Sequence, residues 1–243
     1  MNEIHVIHKI LCPLSSEFLM IDVGAHFGSS LSPFVNDGAI VHAFEPDSQN
    51  RDKLEKHLSK NHWRGKVFLD NRAVTDKDSK IVTFYRSKVS TGISGLSSFH
   101  ESHQIAGKVE TVTLRKYCTD NKISKVNFLK IDSEGYDLFV LKGFDWSRFH
   151  PRAVICEFED SKTKPLGYDW KVLANYLKDI GYSIVISEWY PLIKYGGPHR
   201  WNCVKFFPSE LKFSNAWGNL IAFSSQKDAD SYMKICLSLQ NYD

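Results

Sequence analysis

Phe18–Ser30 (FLMIDVGAHFGSS), followed by Ala43–Asp47 (AFEPD), decides how the rest of this sequence is read. An apolar run carrying Asp22 passes into Gly24-Ala25-His26-Phe27-Gly28, so glycines stand where a strand must turn tightly into a helix and let backbone approach a ligand. The next apolar run ends at Glu45-Pro46, about 17 residues beyond Gly28. From there a carboxylate can accept hydrogen bonds from both ribose hydroxyls of a nucleoside. The two features together predict a ribose-bearing cofactor, although a plain structural turn also satisfies the Gly24–Gly28 spacing by itself.

The glycine spacing bears on which cofactor. A dinucleotide fingerprint needs G-x-G-x-x-G so that a helix N-terminus meets a pyrophosphate, whereas Gly24 and Gly28 are separated by three other residues. The loop suits a ligand without phosphates, its amino-acid end held by backbone and by a carboxylate such as Asp22. S-adenosylmethionine is such a ligand. The third strand candidate ends in Asp70-Asn71-Arg72-Ala73, where Asn71 reads either as a contact to the adenine amino group or as a turn residue.

Working outward, strand-like segments fall at Glu17–Val23, Ile40–Phe44, Lys66–Asp70, Phe128–Ile131, Ala153–Glu157, Ser183–Ser187 and Leu220–Phe223. Their Ile, Val and Phe density without polar alternation fits parallel strands buried on both faces, and helical patterns such as Ser48–His62 and Trp170–Gly181 lie between them. A doubly wound α/β sheet is expected. Ser87–His103 is Ser- and Gly-rich and reads as a long loop. Glu188–Pro208 mixes aromatic, basic, Gly and Pro residues, and reads equally as a β-hairpin on the core or as a surface for stacking on sugar rings through Trp189, Tyr190, Tyr195, His199, Arg200 and Trp201. With no linker or repeat in view, residues 1–243 are expected to form one domain, with a cofactor half to about residue 125 and a catalytic and acceptor half from about 126.

The 243 residues are 42% apolar and 24% charged, enough for one sizeable core. A formal charge of +3, with Lys and Arg spread along the chain, gives no argument for nucleic-acid binding. Five scattered cysteines without a C-x-x-C pair suit a reducing compartment better than a disulfide framework or a zinc site. No apolar run approaches the roughly 20 residues needed to span a bilayer, and residues 1–20 do not read as a leader. A cytoplasmic protein without a transmembrane segment is expected, and a homo-oligomer is compatible with the sequence.

Several motifs now line up in order: IDVGAHFG (Ile21–Gly28), HAFEPD (His42–Asp47), NRAVTDKD (Asn71–Asp78), VETVTLRKYC (Val109–Cys118), NFLKIDSEGYDLFVLKG (Asn127–Gly143) and PRAVICEFE (Pro151–Glu159). On these the sequence resembles the FkbM-type methyltransferases. The resemblance implies a Rossmann-like class I fold, with a seven-stranded, mostly parallel sheet, an antiparallel last strand and helices on both faces. It also implies S-adenosylmethionine as cofactor and O-methylation of sugars and other natural-product hydroxyls. Asp137 stands where that family has Glu, and His26 where it has a small polar residue. Cofactor contacts are expected from Asp22, Gly24, Ala25, His26, Gly28, Glu45, Pro46, Asn71, Arg72, Ala73, Asp132 and, from the serine-rich loop, Ser98.

Methyl transfer from a sulfonium to a hydroxyl needs in-line placement and a base for the hydroxyl proton. Lys130 and Asp132 end the fourth strand, with Glu134 just beyond, and Glu157 and Glu159 end the next one, at the carboxyl edge where open α/β sheets bind ligands. Asp132, Glu134 and Glu157, with Lys130, are the candidate catalytic groups. The carboxylates read either as a general base or as ligands of a divalent cation such as Mg²⁺. The alternative is that they cap a helix or pair with Lys130 and Lys142. A histidine such as His26 or His103 is a further candidate base. The expected function is O-methylation of a sugar hydroxyl on a glycan, polysaccharide precursor or glycosylated small molecule. The competing readings are a cofactor-binding module without catalysis and an NAD-dependent oxidoreductase.

Overall fold

A computed structural model describes residues 1–240. In chain order its elements are α1 (Glu3–Leu11), β1 (Leu19–Val23), α2 (Ser32–Asn36), β2 (Ile40–Phe44), α3 (Ser48–Lys60), β3 (Val67–Asp70), β4 (Ala73–Val74), β5 (Ile81–Ser87), β6 (His103–Val112), α4 (Leu114–Asp120) and β7 (Phe128–Ile131). There follow α5 (Asp137–Lys142), β8 (Ala153–Glu159), α6 (Asp160–Thr163), α7 (Trp170–Asp179), β9 (Ser183–Trp189), β10 (Trp201–Phe206), β11 (Trp217–Phe223) and α8 (Gln226–Gln240).

The main sheet runs β10-β9-β11-β8-β7-β1-β2-β3. Strands β3, β2, β1, β7 and β8 are parallel, and β11 enters antiparallel between β8 and β9. The strand order reverses at β1, which pairs with β2 on one side and β7 on the other. The crevice at the carboxyl ends of β1, β2 and β7 is therefore where a ligand sits in this architecture. Each of these strands is buried almost end to end, as their apolar density without polar alternation anticipates.

Both faces are covered. One apolar layer packs α4, α5 and α7 on the sheet through Leu114, Tyr117, Leu138, Leu141, Leu173 and Leu177. The other packs α1, α2, α3 and α8 through Ile7, Phe34, Leu54, Leu58 and Tyr232. Strands from both halves of the chain share the sheet.

Two features differ from the sequence expectation. The sheet has an eighth strand, β10, because Glu188–Pro208 folds back as a hairpin on β9. Its tryptophans are tethers: Trp201 Nε1 donates to Ser187 Oγ at 3.0 Å, and Trp189 Nε1 to Glu3 Oε1 at 2.8 Å. The second difference is a small sheet, β4-β6-β5, made from residues 73–112. The serine-rich stretch is the connection between β5 and β6, with a single turn of 3-10 helix at Thr91–Ile93. Among the described residues no helix is long and apolar enough to cross a membrane.

Phe34 shows how tightly the α1–α2 layer depends on its aromatic contacts: it is fully buried, with ring centroids 5.0 Å from Phe128 and 5.9 Å from Phe18. Phe34→Ala is expected to cost about 3–5 kcal/mol in urea unfolding, and a loss below 1 kcal/mol would show that this layer is not part of the cooperative core.

Candidate active site

Strand β1 ends at Val23, and the chain turns at Gly24 with φ +77°. A Cβ here would lie 1.9 Å from the Asp132 carbonyl oxygen, so only glycine lets β1 pass this close to the end of β7. The Gly24 and Ala25 amides both donate to the Phe44 carbonyl at 3.0 Å, which fixes the turn against β2. Lys130, on β7, braces it from the other side: its Nζ donates to Gly24 O at 2.6 Å and lies 3.1 Å from Asp22 Oδ1 and 3.6 Å from Asp132 Oδ2.

Glu45, just past β2, is buried, with Oε2 accepting from the His26 amide at 2.8 Å and Oε1 from the Asp47 amide at 2.9 Å. Burial pushes its carboxyl up to about 7, against the opposing pull of those two amides. His26 sits at φ +50° with its ring stacked on Phe27, and its Nε2 shares a 2.9 Å hydrogen bond with Thr91 Oγ1. That bond draws the serine-rich connection over the crevice. Asn50 Nδ2 donates to Thr91 O at 3.4 Å from below, while Asn50 Oδ1 is buried with no hydrogen-bond partner.

These elements enclose a cavity of about 340 Å³. Of the residues expected from sequence, Gly24, Ala25, His26, Glu45, Pro46, Ala73, Lys130, Asp132 and Glu134 line it. The others stand elsewhere. Asp22 is fully buried beneath the floor, taking the Ser30 hydroxyl at 2.5 Å and facing Lys130. Gly28 faces Leu54, whose Cδ1 would be 2.6 Å from an added Cβ, so it serves helix packing. Asn71 is exposed, and Arg72 closes on Asp70 at 2.6 Å outside the cavity. Ser98 is exposed, and the serine-rich connection reaches the cavity instead through Thr91, Gly92, Ser94, Gly95 and Leu96. Glu157 lies behind Glu134 rather than on the wall.

Behind that wall stands a residue the sequence reading missed. Lys162, 2% exposed, places Nζ 2.7 Å from Glu134, 2.9 Å from Glu157 and 3.0 Å from Glu159. Burial by itself would strip its proton, but the three carboxylates outweigh that and hold the ammonium charged. With three acids to one cation, the surplus stays on the acids. Burial raises Glu134 to about 7 and Glu157 well above the ordinary range, with Lys162 pulling both down. Glu159 stays low, since Lys162, Ser161 and Tyr195 together overcome its burial. Asp137 is also buried, but its oxygens accept from Ser133 Oγ at 2.9 Å and from the Glu157 amide at 3.0 Å, which ties the turn after β7 to β8. Lys142, offered as a pairing partner from sequence, lies instead beside the Phe139 ring.

The sequence model of the methyltransferase FkbM domain matches residues 22–184, two thirds of the chain. The chain belongs to the FkbM methyltransferase family. No curated protein sequence matches it. Solved structures with a similar fold include magnesium protoporphyrin IX methyltransferase from Synechocystis with bound SAM, at 12% identity over 92% of this chain and 78% of that one, with a TM-score of 0.48. An rRNA methylase from Streptococcus thermophilus shares 12% identity over 93% and 98%, with a TM-score of 0.47. Precorrin-6y C5,15-methyltransferase from Geobacter metallireducens shares 14% over 90% and 86%, with a TM-score of 0.46.

An FkbM methyltransferase takes its methyl group from S-adenosylmethionine, and the cavity fits that ligand. Each Glu45 oxygen accepts one amide and keeps a lone pair for a ribose hydroxyl, and Asn50 Oδ1 is an acceptor in want of a donor. Lys130 is the one Lys or Arg on the wall among the described residues, and it is engaged with Asp22 and Gly24. This chain is an S-adenosylmethionine-dependent enzyme.

We propose that Glu45 takes the ribose hydroxyls, which hydrogen-bond better to its ionised than to its protonated form, so that binding favours loss of its proton. Affinity for S-adenosylhomocysteine, read by calorimetry, is therefore expected to rise from about pH 6 to about pH 8 as the raised Glu45 carboxyl ionises. In Glu45→Gln that rise should vanish and binding should weaken at least about tenfold. Unchanged binding in the variant would remove Glu45 from the cofactor site.

Proposed function

We propose that this FkbM methyltransferase O-methylates a sugar hydroxyl of a glycan, polysaccharide precursor or glycosylated small molecule, with the carboxylate cluster around Lys162 receiving the hydroxyl proton. The observation that carries the reading is Glu134: it lines the cavity and is buried against Lys162 at 2.7 Å, and burial pushes its carboxyl up to about 7. A base matched to neutral pH is what removal of a weakly acidic hydroxyl proton calls for.

The bound cofactor supplies an electrophilic sulfonium methyl. The chain supplies the rest. Asp132, half exposed at the end of β7, orients the acceptor hydroxyl, and Glu134, next to it, takes the proton. Glu134 sits at φ +55°, a backbone conformation that costs a non-glycine residue about 1 kcal/mol, and its ion pair with Lys162 holds it there. Glu157 shares the load of protons behind it.

Asp132, Glu134 and Glu157 bring oxygens within 4.8 Å of one another, a spacing open to a divalent cation such as Mg²⁺. We assign the cationic role to Lys162 instead, because its ammonium already stands against two of the three. For the acceptor, the Lys162 cluster backs onto a second cavity, of about 680 Å³, where Tyr195, Trp217, His100 and Glu159 mix ring faces with hydrogen-bonding groups. That mixture suits a saccharide.

Two measurements test this. Against a panel of sugar acceptors, Glu134→Gln is expected to lower kcat about 10²–10⁴-fold and to remove the rise in rate through about pH 7, while S-adenosylhomocysteine binding stays within a few-fold. Wild-type rate and pH profile in the variant would remove Glu134 as base. Activity is expected to survive EDTA, and abolition restored by Mg²⁺ would return the carboxylates to a metal.

A further inference from the structure

The far end of α1 carries a side-chain cluster that methyl transfer does not use. His8 lies in the last turn of α1, Cys12 caps it, and Asp37 caps α2. Asp37 Oδ2 is 2.8 Å from His8 Nε2, and Cys12 Sγ is 3.3 Å from that same nitrogen and 3.6 Å from that same oxygen. Nitrogen, oxygen and sulfur donors on a tetrahedral zinc-type ion stand about 3.3–3.6 Å apart, given bonds of about 2.0–2.3 Å. The triangle needs adjustments of only about half an ångström to hold one.

The same distances rule out a nucleophilic triad. Such a relay puts the thiol and the acid on opposite ring nitrogens, whereas both meet Nε2 here. One imidazole, one thiol and one carboxylate is also a donor set that favours borderline, thiophilic ions over Mg²⁺ or Ca²⁺. The His8 ring is held edge-on to Phe34 at 5.0 Å, which fixes its aim, while Asp37 is 51% exposed, so solvent reaches the fourth position. Nothing in the family assignment accounts for the grouping: these residues lie on the opposite side of α1 from its first turn, and two of them precede residues 22–184.

We propose that His8, Cys12 and Asp37 form a binding site for a thiophilic divalent cation of the zinc type, with three protein ligands and one solvent position. The ion clamps the C-terminal end of α1 to the turn between α2 and β2. Asn2, Glu3 and Ile4, at the other end of the same helix, line the cofactor cavity, so occupancy stiffens an element that borders the active site.

The test is Co²⁺ titration of the metal-free full chain under a non-thiol reductant. A thiolate-to-cobalt charge-transfer band in the near ultraviolet is expected, saturating at one equivalent and erased by Zn²⁺. Cys12→Ser should abolish the band with the far-ultraviolet circular dichroism unchanged, and Asp37→Asn should weaken cobalt binding at least about tenfold. Cys203→Ser, at the other thiol that is not buried, should leave the band intact. No band in the wild type, or a band that survives Cys12→Ser, overturns the proposal.

Discussion

The buried Lys130 ammonium, set between β1 and β7, is the contact on which the site hangs. It reaches Asp22 at 3.1 Å, the Gly24 carbonyl at 2.6 Å, the Val23 carbonyl at 3.3 Å and Asp132 at 3.6 Å. Burial alone would neutralise this lysine, but Asp22 and Asp132 outweigh that and keep it charged. One side chain thus locks the glycine turn on the cavity wall to the strand end that carries Asp132. Breaking a buried pair of this kind costs about 3–5 kcal/mol, because the surviving charge is left without a partner. The glycine turn, the Glu45 cradle and the carboxylate edge keep their spacing because they share this brace.

A second buried lysine gathers the carboxylates. Lys162 stands between two cavities, with Glu134 facing the cofactor side and Glu159 facing the other, where Tyr195 donates to Glu159 at 2.5 Å. Its ammonium lets Glu134, on the turn after β7, crowd against Glu157 and Glu159 at the end of β8. Burial, helped by the Asp132 and Glu159 carboxylates, raises Glu134 at the wall to about 7 against the pull of Lys162.

Much of this was legible in the sequence. Seven strand segments are legible because strands buried on both faces are dense in Ile, Val and Phe without polar alternation, and Gly24, Glu45 and Asp132 are legible as parts of one cavity wall because they stand at strand ends beside the point where the strand order reverses. What was missed follows a physical pattern. Residues 73–112 form strands whose outer face is wet, as at Ile105 and Lys108 in β6, so their alternation looks like loop chemistry. The hairpin at Glu188–Pro208 is one of the two readings that its sequence supports, but the Gly and Pro within it hide that its second arm, β10, joins the main sheet as an eighth strand. Lys162 left a faint trace, a lysine just after two strand-end acids in Glu157–Lys162, but nothing in spacing alone says that α6 folds it inward. Asn71 and Ser98 are exposed and do not line the cavity, although neighbours such as Ala73 and Leu96 do.

We propose that the crevice over β1 and β2 holds the methyl donor with its reactive end toward the Asp132 and Glu134 edge. In a crystal structure with S-adenosylhomocysteine, both ribose hydroxyls are expected on the Glu45 carboxylate and the sulfur on the side of Asp132 and Glu134. Ribose density away from Glu45, or a sulfur turned toward Asn71 and Arg72, would overturn this placement.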